Sequence, residues 1–274
     1  MKTISFFRLA AIFIPLSFLS TTSYAVVSGG EVKQNGNVTT LTVPSNSLQS
    51  QMANINFSGA RAMQMPEPSH MIPETLEVSG GAKKAFKGTP GSVSGQSGNG
   101  KENPMSIPKL NATDVSDGIS TQEFGTFQHP FTTSRAEAKA GQVSKEYPFR
   151  ASGKLFFNIG ASTFVCSASL IKKGIIVTAA HCVAGYGTGA FYSNWVFVPA
   201  KNDRFTPNAP YGVYGVTGAV VMTSWINGTD GCNVVCPNDV AVLVAAPVAG
   251  VYPGDRTGFL GYGWNNFGFT SFAG

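Results

Sequence analysis

Two apolar runs joined by a short turn decide how this chain begins to fold: Phe164–Ile171, FVCSASLI, and Ile175–Cys182, IIVTAAHC. The turn between them is Lys172-Lys173-Gly174. Both runs contain the β-branched residues that are typical of strands, so the sequence predicts a β-hairpin. One cysteine lies in the first run, and His181 directly precedes the cysteine that ends the second run.

The chain has four cysteines: Cys166, Cys182, Cys232 and Cys236. In an oxidising compartment they predict two disulfides, for which three pairings are possible. A short hairpin brings its ends together, which favours Cys166–Cys182 and leaves Cys232–Cys236 to close a small local loop. A zinc site is the alternative for clustered cysteine and histidine, but the chain has no C-x-x-C segment and only three histidines.

Further short apolar segments follow, separated by glycine, proline and asparagine. They are Lys154–Ile159, Trp195–Val198, Val213–Val216, Ala219–Met222, Val240–Val244 and Gly258–Trp264. Many short strands with Gly/Pro turns and no long helical pattern predict an all-β antiparallel barrel.

The segment Thr178–Cys182, TAAHC, resembles the one that carries the general-base histidine in trypsin/chymotrypsin-like secreted serine proteases. The bacterial trypsin-like and glutamyl-endopeptidase-like members are the most similar in character. The resemblance implies that His181 is the catalytic base. It also implies the two-barrel fold of that family, with residues 141–274 as an incomplete protease domain that covers the first barrel and, at Gly261–Trp264, the start of the second.

The carboxylate partner of the histidine is found by elimination. After Tyr147 the chain has no glutamate, and Asp203, Asp230 and Asp255 lie in polar turns where we expect them to be solvated. Asp239 instead precedes the apolar strand Val240–Val244, and this segment resembles the family's D-I-A-L-L, in which the aspartate orients the histidine. The resemblance therefore implies that role for Asp239.

The nucleophile of such a protease is missing from these residues. No G-x-S-G-G segment is present, and the only serine after Asp239 is Ser271, which lacks flanking glycines and is too near Asp239 in sequence. No I-V-G-G segment marks a zymogen cleavage site either. We expect the chain to be incomplete at its C-terminus and to have no peptidase activity alone.

The N-terminus has the three parts of a secretory signal peptide over residues 1–25. Lys2 and Arg8 precede an apolar run, and Ser23-Tyr24-Ala25 is a small-residue cleavage site. The apolar run is broken by Pro15 and is too short for a membrane anchor, which needs about 20 residues. Residues 26–140 then read as a pro-region or N-terminal extension, with a β-prone piece at Val38–Val43 and a flexible Gly/Ser-rich linker at Val78–Asn103.

The net charge of +5 does not indicate a nucleic-acid partner, because the basic residues are scattered and the densest group lies among glycines and serines. Met63, Met65, His70 and Met71 are the residue types of an exported copper site, but nothing nearby predicts a rigid scaffold. We therefore expect no metal and no cofactor. The resemblance implies protein or peptide substrates, and the sequence leaves the oligomeric state open.

The sequence thus predicts a secreted serine endopeptidase precursor that carries the histidine and aspartate of a Ser-His-Asp triad. Two alternatives remain at this point. One is a non-catalytic protease homologue that binds a partner outside the cell. The other is an exported adhesin-like or metal-binding protein in which the His-Cys pair is coincidental.

Overall fold

The computed structural model describes residues 30–64, 89–111, 143–204, 206–229 and 238–264. The strands are β1 (Glu31–Asn35), β2 (Val38–Thr42), β3 (Arg61–Ala62), β4 (Gly91–Val93), β5 (Ser152–Ile159), β6 (Ser162–Lys172), β7 (Ile175–Thr178), β8 (Ser193–Pro199), β9 (Tyr214–Met222), β10 (Ala241–Ala245) and β11 (Tyr262–Trp264). The α-helices are α1 (Leu48–Ala53), α2 (Thr223–Asn227) and α3 (Pro253–Thr257), and single 3₁₀ turns lie at Ser45–Ser47, Val143–Lys145, Phe149–Ala151 and Ala180–Cys182.

Six strands form a closed antiparallel barrel. The order around it is β5, β6, β7, β10, β9 and β8, and the barrel closes because β8 pairs with both β9 and β5. The predicted hairpin is β6 and β7, with Ser169 opposite Val177. The predicted all-β antiparallel barrel is confirmed.

The barrel strands bury side chains on two faces. Successive side chains of a strand point to opposite faces of the sheet. On β5, Leu155 and Phe157 belong to the cluster that fills the barrel, whereas Phe156 between them belongs to a second cluster that includes Ile55 and Ala60. The N-terminal part of the chain therefore covers the outer face of the barrel at β5 and its neighbours.

Residues 30–64 join the sheet directly. The β-prone piece predicted at Val38–Val43 is β2, which pairs with β9 over five residue pairs and forms a hairpin with β1. Strand β3 adds parallel to β6, and the Met63 side chain packs against the barrel core. The other residues of the methionine and histidine group, Met65, His70 and Met71, lie outside the described residues, as do the predicted signal peptide and the pair Cys232 and Cys236.

The predicted flexible linker at Val78–Asn103 is wrong for residues 89–103, while residues 78–88 lie outside the described part of the chain. Strand β4 pairs with β11, and the Gln96 and Phe259 backbones exchange hydrogen bonds of 2.9 and 2.8 Å. Main-chain pairing needs no apolar side chains, so the low hydrophobicity was misleading. The glycines here allow close contact: a Cβ on Gly98 would lie 2.3 Å from the Gly258 nitrogen. No helix in the described parts of the chain is long and apolar enough to cross a membrane.

Candidate active site

A disulfide ties the end of the β6–β7 hairpin together. Cys166 lies on β6, Cys182 lies in the 3₁₀ turn that follows β7, and their Cα atoms are 6.3 Å apart. That separation is within the range that a disulfide spans. The bond is the one that the hairpin predicts, and it anchors the turn that carries His181.

The turn at His181 is buried and held by main-chain bonds. The Cys182 N–H donates to the Ala179 carbonyl at 3.2 Å, and the Val183 N–H donates to the Ala180 carbonyl at 2.8 Å. The indole N–H of the buried Trp195 also donates to the Cys182 carbonyl, at 3.4 Å. The small side chains of Ala179 and Ala180 permit this tight turn, so the backbone of His181 has little freedom to move.

Asp239 contacts His181 through both carboxylate oxygens. Its Oδ2 lies 2.8 Å from the ring Nδ1, and its Oδ1 accepts the His181 backbone N–H at 2.9 Å. The two residues are 58 apart in sequence. They meet because β7 and β10 are antiparallel neighbours with Thr178 opposite Ala241, so the end of β7 and the start of β10 lie at the same edge of the sheet.

The geometry selects one tautomer of the imidazole. An ionised carboxylate only accepts hydrogen bonds, so Nδ1 must carry the proton that points to Asp239. In the neutral ring Nε2 is then left as a proton acceptor. The side chains of His181 and Asp239 are 11% and 14% exposed, so the pair is mostly shielded from water. A shielded, oriented imidazole of this kind can take a proton from a hydroxyl placed beside Nε2.

Residues 138–246, which include the disulfide, His181 and Asp239, match the protein-family model described as Trypsin. This part of the chain belongs to the trypsin-like serine protease family. The closed six-stranded barrel is accordingly that of a chymotrypsin-like fold.

Three solved structures are similar to this trypsin-like chain. They are the thermostable serine protease AL20 from an extremophilic microorganism (26% identity, TM-score 0.33), protease Anisep from Arthrobacter nicotinovorans (31%, 0.33) and a Glu endopeptidase in complex with MPD (22%, 0.32). The matches cover 39%, 39% and 41% of this chain, which spans about half of each of those chains: 48%, 47% and 45%. The family assignment rests on residues 138–246, because these TM-scores are low. No curated protein matches the chain.

The sequence did not predict a second contact, which lies next to the pair formed by His181 and Asp239. The side-chain amide of Asn238, the residue before Asp239, donates to the Ser224 hydroxyl at 3.2 Å. Ser224 lies in α2, which is tied to the loop after His181 because the Trp225 indole N–H donates to the Ala184 carbonyl at 2.9 Å. No sequence pattern joins residues 224 and 238, so only the folded chain reveals this support for Asp239.

Two other aspartates have structural partners. Asp203 binds the buried Lys201 ammonium and accepts the Asn208 side-chain amide at 2.8 Å. Burial lowers the pKa of Lys201, and the hydrogen bond that its ammonium donates to Asp203 opposes that shift. Asp203 lies in a turn, as predicted, but its carboxylate is only partly exposed and has two protein partners.

Asp255 likewise is not simply solvated. It forms an ion pair of 2.8 Å with Lys173, and its other oxygen accepts the Tyr252 N–H at 3.1 Å, which caps α3. The hydrogen bond from Lys173 holds the pKa of the Asp255 carboxyl below its usual value, and the same bond raises the pKa of Lys173. Asp230 lies outside the described residues. Within the part of the chain that is described, Asp239 is the aspartate in contact with His181.

The His181 environment does not fit a metal ion. The nitrogen of His181 and the sulfurs of Cys166 and Cys182 lie within 4.8 Å of one another. Both sulfurs, however, are joined in the disulfide, so neither is a thiolate that binds a metal. His181 is then the only ligand left in that group.

Proposed function

We propose that this chain is the histidine- and aspartate-bearing part of a secreted serine endopeptidase that hydrolyses peptide bonds in proteins or peptides. The observation that supports this most directly is the two-point contact between Asp239 and His181 within a region of the trypsin-like family. A structural histidine does not need a carboxylate that fixes both its ring and its backbone.

In the proposed reaction His181 acts as the general base. A serine hydroxyl attacks the carbonyl carbon of the peptide bond while its proton passes to Nε2 of His181, and Asp239 stabilises the imidazolium that forms. His181 then gives the proton to the leaving amine nitrogen. A water molecule, activated in the same way, releases the acyl group and restores the serine hydroxyl.

The serine of the proposed triad is not among these residues, since the sequence contains no G-x-S-G-G segment. We propose that this serine is encoded after residue 274. In the family's layout it follows the aspartate, here Asp239, by about a hundred residues. The 274-residue chain alone is then inactive. Secretion is proposed from the signal-peptide pattern of residues 1–25, and N-terminal sequencing of the exported protein should begin at Val26.

The test compares the 274-residue chain with the product of the gene read beyond codon 274, using a fluorophosphonate probe for activated serines. We expect the longer product to be labelled and the 274-residue chain to remain unlabelled. His181→Ala should abolish labelling, and His129→Ala, which changes a histidine outside the trypsin-like region, should not.

Two results would contradict the proposal. Labelling that persists in the His181→Ala variant would show that another residue activates the serine. A natural stop codon after residue 274, together with absence of labelling, would favour the non-catalytic homologue that binds a partner.

A further inference from the structure

The outer face of the barrel is apolar where residues 48–64 cover it. Phe156, Val196 and Val198 are fully buried on that face, and they pack with Ile55 and Ala60 of the N-terminal part. An uncovered barrel would expose these side chains to water. Exposed contiguous apolar surface of this kind marks a surface that is normally occupied.

The aromatic contact at this surface is specific. The ring of Phe57 meets that of Phe156 edge to face, with centroids 5.0 Å apart. On β9, Leu48 of α1 fills the space where a side chain at position 215 would lie: a Cβ on Gly215 would be 2.8 Å from the Leu48 Cδ2. The barrel surface is therefore shaped to the N-terminal residues.

Strand β2 contributes to the barrel core itself. Leu41 and Val43 are each 2% exposed and belong to the cluster that fills the barrel. The Val43 N–H donates to the Thr217 carbonyl at 2.8 Å, next to the paired strands. Removal of β2 would leave the β9 edge without its partner and open the core at that side.

Buried polar side chains of the barrel find their partners in the same N-terminal part. Asn158 is 6% exposed and donates its amide to the Asn54 carbonyl at 3.0 Å. Thr163 is 4% exposed, and its hydroxyl accepts the Asn56 N–H at 3.1 Å. A buried polar group that loses its partner is costly, so these positions favour a barrel that keeps the N-terminal part bound.

Residues 89–111 are held in a similar way. Asn208 is 2% exposed, and its side-chain amide exchanges two bonds of 3.0 Å with the backbone N–H and carbonyl of Ile107. The Met105 and Ala209 backbones exchange a further pair of hydrogen bonds at 2.9 and 3.1 Å. Residues 103–107 thus pair with the loop before β9 through an isolated antiparallel bridge between Met105 and Ala209.

Arg150 joins this segment to the start of β5. Its guanidinium donates to the carbonyls of Ser97, Lys145 and Thr257, the last at 3.0 Å. One partly buried cation thus binds the N-terminal segment, the residues before β5 and the end of α3. The contact with Ser97 would be lost if residues 89–111 left the barrel.

We propose that residues 30–64 and 89–111 are a permanent part of the barrel, and that they stay bound as a non-covalent partner when the chain is cut between residues 112 and 142. The alternative is a pro-region that leaves once the chain is cut. The inference does not depend on the proposed peptidase activity, since it concerns only what completes the barrel.

The test uses the whole 274-residue chain with a site for a sequence-specific protease introduced between residues 112 and 142. After cleavage, the two fragments should elute together in size-exclusion chromatography and separate only on a denaturing gel. Separation of the N-terminal fragment under native conditions would overturn the proposal, whatever the state of the remaining barrel.

Two variants of β2 show whether the proposed surface holds the fragments together. Leu41→Ala, at a buried position, should weaken the association of the cleaved fragments by roughly 30-fold or more. Thr42→Ala, at the neighbouring exposed position, should change it by less than about threefold. Equal effects of the two variants would mean that another surface holds the fragments.

Hydrogen exchange on the uncut chain gives a measurement that needs no variant. The amides of Val43 and Met63 bond to the barrel, at Thr217 and Val165. They should exchange as slowly as the amides of the β6–β7 pair, because all of these hydrogen bonds break only when the barrel unfolds. Exchange faster by roughly 100-fold would show that the N-terminal part opens separately, which would overturn the proposal.

Discussion

The carboxylate of Asp239 holds both the ring and the backbone of His181, with Oδ2 at 2.8 Å from Nδ1 and Oδ1 at 2.9 Å from the backbone nitrogen. The two oxygens have different tasks. Oδ1 positions the buried turn, whereas Oδ2 selects the protonated nitrogen of the ring. A substitution that keeps the first contact and reverses the second separates positioning from chemistry.

Asp239→Asn is that substitution. The amide oxygen can still accept the His181 backbone N–H, which leaves the amide NH₂ facing Nδ1. Nδ1 must then accept, and the proton moves to Nε2, the nitrogen that should receive the serine proton. In the complete enzyme we expect turnover to fall by about 10⁴, as the same change does in the serine-protease triad.

The tautomer can be measured without activity. Nitrogen NMR of the 274-residue chain should show the His181 proton on Nδ1 in the wild type and on Nε2 in Asp239→Asn. Asp255→Asn, which changes an aspartate that binds Lys173 instead, should leave the His181 signals unchanged. A wild-type pattern in Asp239→Asn would show that the carboxylate does not select the tautomer.

Asn158→Ala tests a buried amide of the barrel. The variant removes the donor to the Asn54 carbonyl and the acceptor of the Thr163 hydroxyl, which lies at 2.9 Å. We expect the free energy of unfolding to fall by about 1–3 kcal/mol, because buried polar partners are left unpaired. Asn35→Ala makes the same change at an exposed position of β1 and should stay within about 0.5 kcal/mol. Chemical denaturation measures both, and equal small effects would refute the expected role of Asn158.

The contact between Asn238 and Ser224 predicts coupled effects on the proposed enzyme. Loss of one hydrogen bond is worth about 1 kcal/mol, so Asn238→Ala and Ser224→Ala should each lower turnover by about tenfold or less. Because they remove the same bond, the double variant should be no worse than the more damaging single variant. If the double variant instead shows the product of the two single reductions in turnover, the two residues act independently.

The ion pair between Lys173 and Asp255 predicts a dependence of stability on pH. The folded pKa of Asp255 is lowered, so its contribution is complete above its unfolded pKa of about 4 and is lost as the pH falls through the lower folded value. The folded pKa of Lys173 is raised, so its contribution is present below its unfolded pKa of about 10 and is lost as the pH rises through the folded value.

Asp255→Asn should flatten the melting temperature against pH at both ends, since the amide can still cap α3 at Tyr252 but no longer pairs with Lys173. Glu31→Gln, which removes a carboxylate from a more exposed ion pair with Lys33, serves as the control. An unchanged profile in Asp255→Asn would show that this pair does not contribute.

Several features were predictable because adjacent residues carry them. The β-branched residues of the two apolar runs and the short turn between them predict the β6–β7 hairpin, and the hairpin in turn predicts which cysteines can meet. Asp239 was predictable because it directly precedes an apolar strand. Its catalytic role, like that of His181, stays a proposal.

The sequence by itself thus determined the hairpin, the Cys166–Cys182 pairing and the candidates His181 and Asp239, all of which depend on local patterns of side chains. Only the tertiary structure decided that residues 89–103 are ordered, that Asn238 binds Ser224, and that Asp203 and Asp255 bind lysines. The physical reason is that main-chain groups pair in almost any sequence and that a polar side chain can bind any suitable partner. Which partners they find depends on which distant segments the barrel brings together.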